Sequence, residues 1–173
     1  MKNLLIGLLL LLTFALSAFA QSDSNQTPPP PCSQPEFSQF DFWVGDWDAT
    51  WSDTLHGSNH ISKDYNGCVI IEKFDSSPAS SFKGMSVSTY NVKTQKWQQT
   101  WVDNNGAYLD FTGGWEKDKM VLSRSFVRND STIFQRMVWH DISEKAFLWN
   151  WESSLDGGQN WQVLWQINYQ RQN

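Results

Sequence analysis

Trp161-Gln162-Val163-Leu164-Trp165-Gln166-Ile167-Asn168-Tyr169 sets an aromatic or β-branched side chain at every second position, with Gln162, Gln166 and Asn168 in between. A period of two describes a strand with one face on a core and the other in water. Upstream, Phe147, Trp149 and Trp151 alternate with Asn150 and Glu152, and Met120, Leu122 and Phe126 alternate with Ser123 and Ser125. Residues 85–90, 97–102, 108–111 and 133–139 extend the series. Asn104-Asn105-Gly106 and Asp156-Gly157-Gly158 are hairpin signals, and the polar clusters at 91–96, 116–119, 128–131 and 141–145 have connector length. Trp43, Trp47 and Trp51 recur every four residues, as on a helix face, but Val44, Gly45 and Thr50 among so many aromatics favour a strand. From Trp43 onward the pattern predicts about ten short antiparallel strands. A flat sheet of that size leaves two open edges, and closure removes them. The expected fold is therefore all-β, a single antiparallel up-and-down barrel.

The chain of 173 residues carries 11 Trp, 11 Phe and 4 Tyr, and buried rings cover roughly 150 to 250 Å² each. This excludes a disordered chain and suits one packed domain. The net charge of −5 leaves no basic field for nucleic acid or an anionic membrane surface. Lys2, the apolar run Leu4 to Leu12 and the small-x-small site Ala18-Phe19-Ala20 predict a signal peptide over residues 1–20. The run is shorter than the roughly 20 residues of a spanning helix, so no membrane span is expected after its removal. The expected location is periplasmic or extracellular. Residues 21–31, ending in Pro28 to Pro31, read as an extended spacer, and residues 32–173 as the domain. Cys32 and Cys68 are the two cysteines, and in an oxidising compartment they are expected to form a disulfide.

Several stretches together carry a family resemblance. Phe40-Asp41-Phe42-Trp43-Val44-Gly45-Asp46-Trp47 opens the domain with Gly-x-Trp. Asn66-Gly67-Cys68-Val69-Ile70, Trp97-Gln98-Gln99-Thr100-Trp101-Val102-Asp103 and Ser154-Leu155-Asp156-Gly157-Gly158-Gln159-Asn160-Trp161 follow. The chain from Cys32 onward resembles a bacterial exported family of lipocalin-like (calycin) domains without a settled activity. The resemblance implies a calycin barrel in which Gly45, Trp47 and Arg171 form a structural lock, the guanidinium stacked on the indole. Some calycins hold haem through one histidine, which keeps haem as an alternative ligand, although nothing selects among His56, His60 and His140.

Catalytic patterns are scarce. No nucleophile elbow, phosphate loop, H-E-x-x-H or Cys-His arrangement is present, and no metal site is expected. A small barrel offers its lumen instead. Arg124 shares a strand face with Met120, Leu122 and Phe126, and Arg136 shares one with Phe134 and Val138. Pointing inward, either guanidinium would meet an anionic group of a ligand; pointing outward, each would sit on the exterior. Gln99 and Trp101 are further candidate lining residues. The expected function is an exported binding protein for a small hydrophobic or amphipathic ligand, its cofactor unspecified. The alternative is a carbohydrate or cell-surface interaction domain using exposed Trp, with an enzymatic barrel behind both. Ser154-x-Asp156-x-Gly158-x-x-Trp161 is read as a structural hairpin whose Ser and Asp satisfy backbone amides.

Overall fold

The computed structural model describes residues 28–173; the expected signal peptide, residues 1–20, and residues 21–27 of the expected spacer lie outside them. Ten strands follow one another: β1 Gly45–Thr50, β2 His56–Asp64, β3 Val69–Asp75, β4 Lys83–Asn91, β5 Lys96–Asp103, β6 Tyr108–Glu116, β7 Lys119–Arg128, β8 Ser131–His140, β9 Ala146–Ser154 and β10 Gln162–Arg171. Each pairs antiparallel with the next, and β1 pairs with β10, so the sheet is a closed up-and-down barrel. At the closing seam Trp47 lies opposite Arg171 and Thr50 opposite Asn168. Among the described residues no helix is long and apolar enough to cross a membrane.

One end of the barrel is plugged by the segment before β1. Residues 35–38 form a 3-10 turn, and further i→i+3 bonds run from the amides of Asp41 to Ser38 and of Trp43 to Phe40. A repeat of three eclipses side chains three apart, so Phe37, Phe40 and Trp43 share a side. All three are buried. Phe37 packs edge-on against Tyr90 at 5.6 Å, Phe40 against Trp97 at 4.8 Å, and Trp43 against Trp139 at 5.3 Å. The four-residue spacing of Trp43, Trp47 and Trp51 thus marks neither a helix nor one strand: Trp43 belongs to the plug, Trp47 to β1, and Trp51 follows β1. The Cys32–Cys68 disulfide ties the start of the plug to the β2–β3 turn.

Arg171 locks this end. Its guanidinium lies 4.1 Å from the Trp47 ring and donates to the carbonyls of Val44 at 2.8 Å, Phe42 at 2.9 Å and Glu144 at 2.8 Å. Plug, β1 and the β8–β9 turn are held by one side chain. Trp47 in turn donates from Nε1 to the Trp43 carbonyl at 2.8 Å.

The alternation expected along residues 161–169 breaks at a bulge between Val163 and Trp165. Trp165, Ile167 and Tyr169 face the interior, while Val163 is exposed and Trp161 lies outside the barrel over Arg136. One extra residue reverses the parity of everything before it.

Gly45 has φ +136°, and a Cβ there would stand 2.2 Å from Arg171 Nη1. We expect Gly45→Ala to destabilise the fold by about 1 to 3 kcal/mol, through backbone strain and displacement of the guanidinium. Arg171→Leu should also destabilise. Because both changes act on one clamp, urea denaturation of the double variant should show a loss smaller than the sum of the two.

Candidate functional site

Beyond the plug, the barrel contains a half-enclosed cavity of about 210 Å³. Strands β6, β8, β9 and β10 contribute an apolar wall that includes Phe111, Met137, Trp149, Trp151, Trp165 and Ile167. Phe74, Phe82 and Trp101 close the other side near the barrel end away from the plug, with Leu109 and Asp103 beside them. The rings brace one another edge to face: Trp165 meets Phe74 at 5.9 Å and Trp149 at 5.7 Å, and Phe111 meets Trp151 at 5.7 Å. Such pairs hold their geometry better than aliphatic chains would. Gly84 makes room for Trp101, since a Cβ at that position would come within 2.0 Å of its indole.

The opposite part of the interior is polar. Asn59, Glu72, Ser86, Ser88 and Gln99, all buried, come from β2 to β5. Glu72 reaches the cavity. Its carboxylate oxygens accept from Asn59 Nδ2 at 2.7 Å and Ser86 Oγ at 2.7 Å, and the same Asn59 amide donates to the Tyr169 hydroxyl at 3.2 Å. Burial pushes the Glu72 carboxyl up to about 7, and the bonds from Asn59 and Ser86 pull against that rise. The Tyr169 phenol is also raised, first by burial and then by the neighbouring Glu72. Asp103 behaves differently. Desolvation works to raise it, but bonds from the Trp101 indole and the Ala107 and Asn105 amides together hold it below its ordinary range.

The structure separates the two arginines. Arg124 is on the inward face of β7 with Met120 and Leu122, its guanidinium 5.8 Å from the cavity-lining Phe111 ring and 5.0 Å from Phe126. No carboxylate lies within ion-pair distance of it among the described residues. Arg136 faces out: it donates to Glu152 at 2.6 Å and stacks over Trp161 at 3.9 Å, so the expected encounter with a lumenal ligand does not apply to it. Register explains the difference, because Arg136 lies opposite Ser123 and Glu152 whereas the inward residues of β8 are Met137 and Trp139. Trp101 lines the cavity. Gln99 faces the interior without lining it, donating to Ser88 Oγ at 2.9 Å.

Glu72 is a cavity residue that strand alternation does not single out. Its signal was its parity with Ile70 and Phe74 on β3, which Ile71 on the other face obscured. The Asp156 hairpin is self-satisfied, its carboxylate accepting from the Gln159 and Asn160 amides and the Ser154 hydroxyl. None of the three histidines lines the cavity. Among the described residues no three His, Cys, Asp or Glu side chains are grouped to hold a metal ion.

No protein-family model matches the chain, and no curated protein does.

Glu72 makes stability depend on pH in an unusual sense. A carboxyl raised from 4.5 to about 7 binds more protons folded than unfolded between those values. Its burial is tolerated fully below the lower value and increasingly penalised as pH rises through the upper one. Relative to Glu72→Gln, the native protein should lose about 3 kcal/mol of stability between pH 4 and pH 8, measured by urea denaturation at each pH. The other large carboxyl shifts do not mimic this trend: Asp75, held down to about 2 chiefly by Lys83, and Asp156, lowered by the Asn160 amide, act at lower pH and with the opposite sign.

Proposed function

We propose that this protein binds a small hydrophobic or amphipathic molecule inside the barrel, with the apolar part of the ligand among the rings of the cavity. The observation that carries this reading is a half-enclosed space of about 210 Å³ walled by Trp and Phe in a barrel otherwise filled by side chains. Packed interiors keep few voids of that size, and an apolar cavity of about 150 Å³ is enough for benzene. The polar groups in the cavity wall are Glu72, Asp103 and Tyr169, and the Arg124 guanidinium lies beside Phe111. The resemblance to exported lipocalin-like domains and the signal peptide expected at residues 1–20 support a carrier acting outside the cytoplasm.

The size of the cavity favours a ligand of one or two rings over haem, since sites for drug-sized molecules run from about 300 Å³ upward. The position of the indoles argues against a sugar platform. Trp43, Trp47, Trp97 and Trp139 are buried, Trp161 is stacked on Arg136, and Trp115, at 40% exposure, is the one indole counted among the exposed large hydrophobics.

Nuclear magnetic resonance titration with 2-phenylethanol tests the reading. Saturable shifts are expected in Phe74, Trp101, Trp149 and Trp165, and Leu109→Trp, which fills the cavity edge, should abolish them with an unchanged far-ultraviolet circular dichroism spectrum. Shifts confined to the outer face, or none for any small aromatic, would overturn it.

A further inference from the structure

Glu72 is a buried carboxyl without a cationic partner. Its two bonds come from an amide and a hydroxyl, and the ion pairs among the described residues involve Asp41, Asp46, Asp75, Asp141 and Glu152 instead. The groups around it are neutral, Asn59 from β2, Ser86 from β4 and Tyr169 from β10, and the other carboxyl lining the cavity is Asp103. Arg124 on β7 is a cation on the inward surface, and it lies against the faces of Phe111 and Phe126. Asn59 Oδ1, buried next to the carboxyl, has no donor.

Arg124 apart, these features favour a positive charge on the ligand. A carboxylate out of water is costly until a cation or several donors meet it. Aromatic faces carry negative charge density and attract ammonium groups, most strongly where water is excluded. An anionic ligand at this wall would face like charge, and an uncharged hydrocarbon would leave the acceptors unanswered. The apolar wall across from Glu72 is continuous enough to take a ring.

We propose that the cavity selects a small organic ammonium ion, a primary amine on an aromatic body, whose N–H groups are received by the Glu72 carboxylate while the ring packs among Phe74, Trp101, Trp149 and Trp165. The proposal rests on the cavity reading above and names the chemistry of the polar end. No covalent step is involved. A bound ammonium stabilises the ionised carboxyl, so binding should weaken as the solution becomes acidic enough to protonate Glu72.

Calorimetric titration at pH 8 with phenethylamine, 2-phenylethanol and 3-phenylpropanoate separates the cases, because the three share a ring and differ in charge. The amine should bind about tenfold or more tightly than the alcohol, the scale of a charge-assisted hydrogen bond. Glu72→Gln should remove that advantage, bringing the amine down to the affinity of 2-phenylethanol or below. In the unaltered protein the advantage should shrink from pH 8 to pH 5 while the alcohol binds equally throughout, a readout that needs no variant. Equal binding of amine and alcohol, or a preference that survives Glu72→Gln, would overturn the ammonium assignment and leave the cavity reading standing. Tightest binding of 3-phenylpropanoate would overturn it in favour of Arg124 as the ligand-facing charge. Binding of none of the three by folded protein would overturn the cavity reading itself.

Discussion

A ten-stranded meander stays open unless its first and last strands meet, and here they meet where Trp47 faces Arg171. The guanidinium caps an indole and answers three carbonyls from two separate segments, the plug and the β8–β9 turn. Stacking of this kind contributes about 0.5 to 2 kcal/mol, and each bond to a charged donor about as much again. Its larger consequence is geometric. With the seam, the plug and the β8–β9 turn held together, one end of the barrel is shut, and open space can persist only toward the other.

That space exists because large and small side chains are distributed unequally around the barrel. Strands β8 to β10 project Trp139, Trp149, Trp151 and Trp165 inward, whereas β4 projects Gly84, Ser86 and Ser88. A ten-stranded barrel is wider than side chains of average size can fill. The plug uses Phe37, Phe40 and Trp43 to fill one half. In the other half the indoles lean on one another and cannot collapse onto the small residues opposite. Small polar residues, and not apolar ones, sit at those opposite positions, which leaves a lumen with one aromatic wall and one wall of hydrogen-bonding groups.

Outside the barrel a second polar network organises β8 to β10 without forming a cavity. Gln166 donates to Asn150, Asn150 to Glu152, and Arg136 to Glu152 beneath the Trp161 ring. Asn150 and Glu152 are buried although they face outward. The β9–β10 hairpin lays Trp161 over Arg136, the indole fixed through Nε1 to the Gly158 carbonyl at 2.9 Å. An arginine that looks like a ligand contact on a strand diagram is here a support for the hairpin.

What the amino-acid order determined by itself was the architecture: period-two alternation, turn residues at regular intervals and an aromatic load large enough to need enclosure point to a closed meander, and the closed ten-stranded barrel and the Cys32–Cys68 bond are what the structure contains. Parity along a single strand is a local property, and Arg124 could be placed with Met120 and Leu122 from sequence. Which parity is inward for Arg136, where one bulge between Val163 and Trp165 turns Trp161 outward, and which interior positions stay unfilled were decided only in three dimensions. The physical reason is that facing and filling depend on neighbours distant in the chain. Glu72 becomes a buried, unpaired carboxyl only once Asn59, Ser86 and Tyr169 arrive from three other strands, and no local pattern in Ile70-Ile71-Glu72-Lys73-Phe74 contains that meeting.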